Sequence, residues 1–421
     1  MNILIIGSGG REHALAYCLE KSETCEKVFC VPGNPGISQI AECVDIDTTQ
    51  HDKLIDFCKL QKINLVVIGP EQFLADGLSD QLRASGYAVF GPSKSAAQLE
   101  TSKAFAKNFM QKYKIPTAKF AIFDKSQYKE AIDYLAHQDL PIVLKADGLA
   151  GGKGVVIATS QEEAMQVTKD YLDGALGSAS EKIVIEEFMQ GEEASVFAIC
   201  DGENFITLAP AQDHKRIGEG NTGKNTGGMG AYAPANLVNS KVLEEVKSKI
   251  IEPTLRGIKE EKMPFIGCLY VGLMIKDDEA KVVEYNVRFG DPETQAVLSI
   301  FEGDFAKLLY SAAIGNLDKN AVKSISNKAA CCVILASKGY PEKFEKGNKI
   351  TGNLKEDEHT FVFHSGTKMY ENNLVTSGGR VLGVTGINEN LSLAIADAYK
   401  RVDEIEFEGK YFRKDIGKNQ K

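Results

Sequence analysis

The sequence predicts an α/β protein of roughly three units, at about 150 residues per domain. These are an N-terminal parallel open sheet, a central region built round a glycine-rich flap, and a small β-rich C-terminal domain. Three observations predict it. Residues 1–100 alternate short apolar runs with helical spacing, and the apolar runs stop in Gly/Pro turns. Residues 141–158 read as strand, glycine loop, strand. From 327 onward, short β-rich runs are separated by glycine turns.

In the first unit, Asn2–Ile6 is an apolar run of strand length, and Gly7-Ser8-Gly9-Gly10 is its turn. Ala14, Leu15, Cys18 and Leu19 then recur at helical spacing. Val28–Val31, Leu65–Ile68 and Ala88–Phe90 are further strands, each ending in glycine and proline; His51–Lys59 is a helix. In the second unit, Ser95–Lys114 reads as one long amphipathic helix stopped by Pro116. Pro141–Ala146, Val155–Ala158 and Lys182–Glu187 are strands, and Gln161–Leu172 is a helix. Residues 218–230 read as a mobile glycine-dense excursion. Cys268–Ile275 and Lys281–Arg288 flank a polar hairpin turn at 277–280. In the third unit, Ala329–Leu335, Thr360–His364 and Arg380–Val384 are strands, with a helix near Leu391–Glu404.

Composition excludes several classes. The 421 residues are 43% hydrophobic and 25% charged, which fits neither a disordered nor a collagen-like chain. No apolar run reaches the ~20 residues of a membrane helix. The N-terminus reads as a first core strand and not as a secretory signal. A net charge of -9 argues against binding nucleic acid through bulk charge. The nine cysteines are scattered without a C-x-x-C pair, and are expected to be reduced thiols in a cytoplasmic protein.

Gly7 to His13 follows a strand and opens a helix, where bare amides attract anions. The dinucleotide fingerprint needs a glycine at position 12, which is Glu12, so a nicotinamide cofactor is disfavoured. On this segment alone a phosphate loop and a plain turn are equally good readings. Residues 145–154, Lys-Ala-Asp-Gly-Leu-Ala-Gly-Gly-Lys-Gly, resemble a Walker loop but are one residue short and lack its Ser/Thr. Strand–loop–strand makes a flap, in which Lys145 projects toward phosphates and the glycines let amides close over them. Glu193, beyond the strand at 182–187, is placed to accept from ribose hydroxyls.

The segment 281–293 carries the strongest chemistry. Residues two apart on a strand share a face, so Glu284, Asn286 and Arg288 align while Val283, Tyr285 and Val287 face the core. A carboxylate beside an amide oxygen suits Mg²⁺, which completes its shell with phosphates and water. Arg288 is placed to clamp a carboxylate or a phosphoryl group. The charged run 213–216, taken alone, reads as a solvated surface.

These pieces occur in one order: Gly-Ser-Gly-Gly-Arg-Glu-His-Ala at 7–14, Gly-Pro-Glu at 69–71, the flap at 145–154, Glu-Glu-Phe at 186–188 and Gln-Asp-His-Lys-Arg at 212–216. Asn-Thr-Gly-Gly-Met-Gly at 225–230 and Arg-Phe-Gly-Asp-Pro-Glu-Thr-Gln at 288–295 follow, and the tail adds His-Ser-Gly-Thr-Lys at 364–368 and Ser-Gly-Gly-Arg-Val-Leu at 377–382. The chain closely resembles the phosphoribosylamine–glycine ligases of the ATP-grasp superfamily, over essentially its whole length.

The resemblance implies an ATP-grasp central domain. It also implies ATP-dependent joining of glycine to 5-phosphoribosylamine through glycyl phosphate, in purine synthesis. It places Lys103, Lys145, Gly148, Gly151, Gly152, Gly154, Glu186, Phe188 and Glu193 on ATP. It places Glu284 and Asn286 on magnesium, for which manganese is a substitute. Arg288 and Asp213 become catalytic. Gly9, Gly10, Arg11, Asn225, Gly227 and Gly228 become substrate-binding. The domains implied are 1–103, 104–326 with the flap over 122–191, and 327–421. The expected partners are small molecules, with no nucleic acid and no membrane, on a monomer or weak oligomer. The strand at 268–275 lacks the second metal-binding acid of many ATP-grasp enzymes, so the ligand of any second ion is unassigned. The alternatives are another ATP-grasp carboxylate–amine ligase or carboxylase, a nicotinamide oxidoreductase, or a non-catalytic nucleotide-binding module.

Overall fold

Five short strands, most with β-branched and apolar cores, come early in the chain. In the computed structural model, which describes residues 1–149, 154–324 and 327–418, they form one parallel sheet. Its order is Glu42–Cys43, Lys27–Pro32, Asn2–Gly7, Leu65–Ile68, Ala88–Phe90. Ile3 to Ile6 and Leu65 to Val67 are fully buried, as expected of a sheet covered on both faces. The loops at 7–10 and 69–71 leave its carboxyl edge, where open α/β sheets hold ligands.

The long helix expected over Ser95–Lys114 is two helices, Lys94–Thr101 and Lys103–Lys112. Ser102 breaks them because its hydroxyl accepts the Phe105 N–H at 3.0 Å and donates to Asp147 Oδ1 at 2.9 Å. An N-cap is incompatible with continuing the helix through the same residue.

Two antiparallel sheets face each other in the middle of the chain. The flap sheet orders Phe120–Asp124, Lys182–Glu187, Ile142–Ala146 and Val155–Ala158. The floor sheet orders Phe205–Thr207, Glu192–Cys200, Gly267–Lys276 and Glu279–Asn286. The hairpin between the last two turns on Asp277 and Asp278 alone, both at positive φ (54° and 63°), the two-residue geometry that matches strand twist. Its register shifts between Gly272 and Leu273, which pair with Glu284 and Val282, so Val283 is the extra residue of a bulge. Val283, expected in the core, therefore borders the cleft, while Tyr285 and Val287 stay buried.

The segment expected to be a mobile excursion over 218–230 is built into the fold. Arg216–Gly218 pairs with Thr222–Asn225, and Gly230–Ala233 joins the C-terminal sheet. That sheet orders Gln212–Asp213, Gly230–Ala233, Ala329–Ala336, Arg380–Asn388 and Thr360–His364. The helix Leu391–Asp403, capped by Asn390, buries Ala394, Ala398 and Val402 against it. Gly386 permits this approach: a Cβ there would lie 2.1 Å from the Ala394 carbonyl oxygen.

Candidate active site

The flap and floor sheets, the N-terminal loops and the 212–230 segment enclose a cleft of about 1170 Å³. Apolar side chains of the flap, Val143, Val155 and Ile157, face Met274 and Val283 of the floor across it. Phe188 stands at the rim, 39% exposed.

The cations enter on separate elements. Lys103 is fixed by its own backbone: Asp147 takes the Lys103 N–H on its carbonyl (3.0 Å) and the Ala104 N–H on its carboxylate (2.7 Å). The flap loop is thereby clipped to the start of the second helix, and burial pulls the Lys103 pKa down. On the flap, Lys145 Nζ lies 3.1 Å from Glu186 Oε2 and donates to the Val283 carbonyl at 3.2 Å. Lys107 reaches the same Glu186 oxygen at 3.0 Å and Thr117 at 2.7 Å. Burial draws Lys107 down to about 8, partly offset by Glu186.

On the floor, Glu284 is held ionised. Burial alone would raise its pKa, but Lys215, Lys145, Lys103 and Arg288 together bring it to about 2. Lys215 Nζ sits 3.5 Å from Glu284 and 3.1 Å from Glu193, so the charged run 213–216 is turned into the cleft and is not a solvated surface. Asp213 goes the other way: burial and the neighbouring Glu293, Glu193 and Glu284 raise it to about 8, against Lys215.

Arg288 is heavily bonded. Its Nε donates to Glu71 (3.2 Å), its Nη2 to Glu100 (2.8 Å) and its Nη1 to the Phe289 carbonyl (3.1 Å). It ties the floor sheet to Glu71 at the edge of the N-terminal sheet and to the helix bearing Glu100. Asn286 Oδ1 lies 3.5 Å from Arg288 Nη2, on the same side as Glu284.

The donor set fits a hard cation in one way. Among the described residues no group of three or more His, Cys, Asp or Glu is placed to hold a metal. One ionised carboxylate beside one amide oxygen instead matches a magnesium ion that takes its other ligands from phosphates and water.

Of the remaining sequence-derived residues, Arg11 lines the cleft, with Nε 2.5 Å from Glu12 and Nη1 on the Phe289 carbonyl. Glu12 folds back to accept the Gly9 N–H at 2.6 Å, filling the place a dinucleotide phosphate would need. Gly10 packs between Ser365 of the C-terminal domain and Gln295 of the central region, both of which a Cβ would meet. Gly148 abuts Ala179, and Gly154 accepts the Ala146 N–H at the base of the flap hairpin. Gly151 and Gly152 lie outside the described residues. Asn225 and Gly227 line the cleft, and Gly228, at φ 109°, rests on Pro292.

Sequence reasoning missed Lys107, Glu100 and Asp147, and also Tyr340 and Arg380, which line the cleft from the C-terminal domain. Lys107 carried a signal, four residues beyond Lys103 on one helix face. The others acquire their positions only through partners distant in the chain.

Two sheets closing on a lysine-lined cleft, with an acid–amide pair on the floor, define the ATP-grasp class. The phosphoribosylglycinamide synthetase ATP-grasp (A) domain model matches residues 101–294, its N domain residues 1–100 and its C domain residues 330–419. The chain belongs to the phosphoribosylglycinamide synthetase family. It is 46% identical to the phosphoribosylamine–glycine ligase of Agrobacterium fabrum over 99% of this chain and 98% of that one. It is 44% identical to that of Caldanaerobacter subterraneus, over 99% of each. The crystal structure of phosphoribosylamine–glycine ligase from Thermotoga maritima superposes with a TM-score of 0.86 at 34% identity, covering 99% of this chain and 100% of that one. The biotin carboxylase domain of the Hydrogenobacter thermophilus 2-oxoglutarate carboxylase shares the fold (TM-score 0.75, 15% identity, 98% and 91% covered).

Proposed function

We propose that this chain joins glycine to 5-phosphoribosylamine at the expense of ATP, giving glycinamide ribonucleotide, ADP and phosphate in purine synthesis. The observation that carries the reading is the convergence of Lys103, Lys145, Glu284 and Asn286 on one cleft, in a chain of this family.

A carboxylate is a poor acyl donor. Its oxygen attacks the terminal phosphorus of ATP, ADP leaves, and the glycyl carbon then carries a phosphate. The amine of the sugar attacks that carbon, the C–O bond breaks and inorganic phosphate departs. Such transfer depends on charge neutralisation and alignment. Lys103 and Lys145 supply positive charge to the ATP phosphates, Glu186 holding Lys145 in place. The apolar slot between flap and floor takes the adenine, Phe188 edges it, and Glu193 faces the ribose. The flap glycines Gly148, Gly151, Gly152 and Gly154 are assigned to ATP binding by the family's motif. Glu284 and Asn286 would hold Mg²⁺, or Mn²⁺ in its place, which neutralises phosphate charge and aligns the transferring group. Arg288 orients the glycine carboxylate. Asp213, its carboxyl pushed up by burial and the surrounding carboxylates, becomes a local acid–base group beside the amine. Arg11 with the loop at Gly9 and Gly10, and the segment Asn225 to Gly228, form the sugar side.

Among the described residues no helix is long and apolar enough to cross a membrane. With reduced thiols throughout the described chain, the reading places the enzyme in the cytoplasm as a monomer or weak oligomer, with division near 103 and 326. The test is ADP release with one substrate omitted at a time. Release requires glycine and the sugar amine together; release driven by bicarbonate in place of glycine would favour a carboxylase.

A further inference from the structure

The sugar amine carries a phosphate of its own, and the ATP phosphates occupy the lysine end of the cleft. A second phosphate needs a second cation with donors to spare. Arg11, Lys145, Lys215 and Arg288 each have a carboxylate within 3.2 Å. Arg380 differs. It begins the strand Arg380–Asn388 of the C-terminal sheet and reaches the cleft from that side.

Only one nitrogen of Arg380 is used. Its Nη1 donates to the carbonyls of Gly227 (2.5 Å) and Asp291 (2.7 Å) and lies 3.3 Å from Asp291 Oδ1. Among the described residues Nε and Nη2 have no hydrogen-bond or ion-pair partner. Those two form the edge of the guanidinium that presents parallel N–H groups, the geometry that grips a phosphate bidentately. Gly227 packs on the face of the guanidinium, where a Cβ would sit 3.1 Å from Cζ, 3.3 Å from Nη2 and 3.4 Å from Nε and would push the group out of place. Gly227 is not at positive φ, so the requirement for glycine is this close approach and not its backbone angle. Tyr340 completes the corner, its hydroxyl accepting the Gly227 N–H at 2.9 Å while keeping its own hydrogen to donate into the cleft. The backing is firm. Gly366 and Gly378 pack backbone to backbone behind the strand, where a Cβ on Gly366 would come 2.4 Å from Gly378 Cα.

The structure assigns the free edge of Arg380, with the Tyr340 hydroxyl, as the subsite for the phosphomonoester of the sugar substrate. The assignment rests on the ligase reading above and names the anchor that reading lacks.

Ribose 5-phosphate, which carries the phosphate without the labile amine, is the probe. Calorimetric titration into the full-length protein is expected to show binding that weakens about tenfold or more in Arg380→Gln and equally in Arg380→Lys, since an ammonium lacks the paired edge. Gly227→Ala, which crowds the guanidinium face and displaces the edge while keeping the charge, is expected to weaken it as well. ATP affinity and melting temperature stay at the wild-type values in Arg380→Lys. Unchanged ribose 5-phosphate affinity in Arg380→Gln overturns the assignment, as does loss in Arg216→Gln with none in Arg380→Gln. If the wild type fails to bind the probe yet releases ADP with glycine and the sugar amine, the subsite is refuted and the ligase reading stands. Failure of that ADP release alone refutes the ligase reading.

Discussion

Lys145 and Glu186 meet at 3.1 Å across adjacent antiparallel strands of the flap sheet, and Lys107 approaches the same carboxylate oxygen from a helix at 3.0 Å. Three buried charges, two positive and one negative, leave a net positive centre in the wall of the cleft. Such a cluster costs desolvation and is weak support for stability by itself. Its value lies in holding Lys145 where phosphate charge develops.

Removing the shared anion is therefore expected to hurt twice. Glu186→Ala leaves two buried lysines with no carboxylate, only the neutral oxygens of Val283 and Thr117, a change that costs about 3–5 kcal/mol when buried pairs are broken. Urea denaturation should show that loss, and the KM for ATP should rise. A variant of wild-type stability would show that the lysines find other partners.

Glu284→Ala removes a partly exposed oxygen donor and little core volume. Turnover is expected to fall by roughly 100-fold or more, the scale of losing one electrostatic contact to a transition state. Far-ultraviolet circular dichroism should be unchanged. Full activity at limiting magnesium contradicts its assignment as a metal ligand.

Arg288→Lys retains charge but cannot span Glu71, Glu100 and the Phe289 carbonyl together. Turnover with glycine is expected to drop sharply, with a lower melting temperature because Glu100 is only 8% exposed. If turnover is preserved while the melting temperature drops, Arg288 serves only to join domains.

Acid should loosen the contact between the first helix and the C-terminal sheet. His13 Nδ1 accepts the His364 backbone N–H at 2.8 Å, and burial, with His364 beside it, depresses the His13 pKa to about 3. Burial likewise takes His364 to about 4. Unfolded histidine titrates near about 6.5, so the unfolded chain binds more protons between these values. The contribution is complete above about 6.5 and is lost as pH falls toward 4 and then 3. Denaturation from about pH 7 to about pH 5 should show a shallower fall in His13→Gln than in wild type; parallel slopes would place the acid sensitivity elsewhere.

The sequence carried much of this architecture. The helix Gln161–Leu172 and the strand Lys182–Glu187 have the bounds their periodicity predicts. Glu284 and Asn286 share the cleft, as strand alternation requires. What was illegible depended on contacts between distant segments. A bulge at Val283 exists only relative to Gly272 and Leu273 on the facing strand. The helix break at Ser102 depends on Asp147, brought in by the flap. Lys215 looks like one charge in a solvated run until Glu193 and Glu284 are placed around it. Arg380 gains meaning only when the tail folds back on Gly227 and Asp291.

The central claim is that a glycine carboxylate oxygen becomes bonded to phosphorus before the amide forms. The direct measurement is mass spectrometry of the phosphate released when glycine labelled with oxygen-18 in its carboxylate is turned over with ATP and the sugar amine. One labelled oxygen per phosphate is expected. Phosphate free of label, alongside product formation, would contradict the acyl phosphate route.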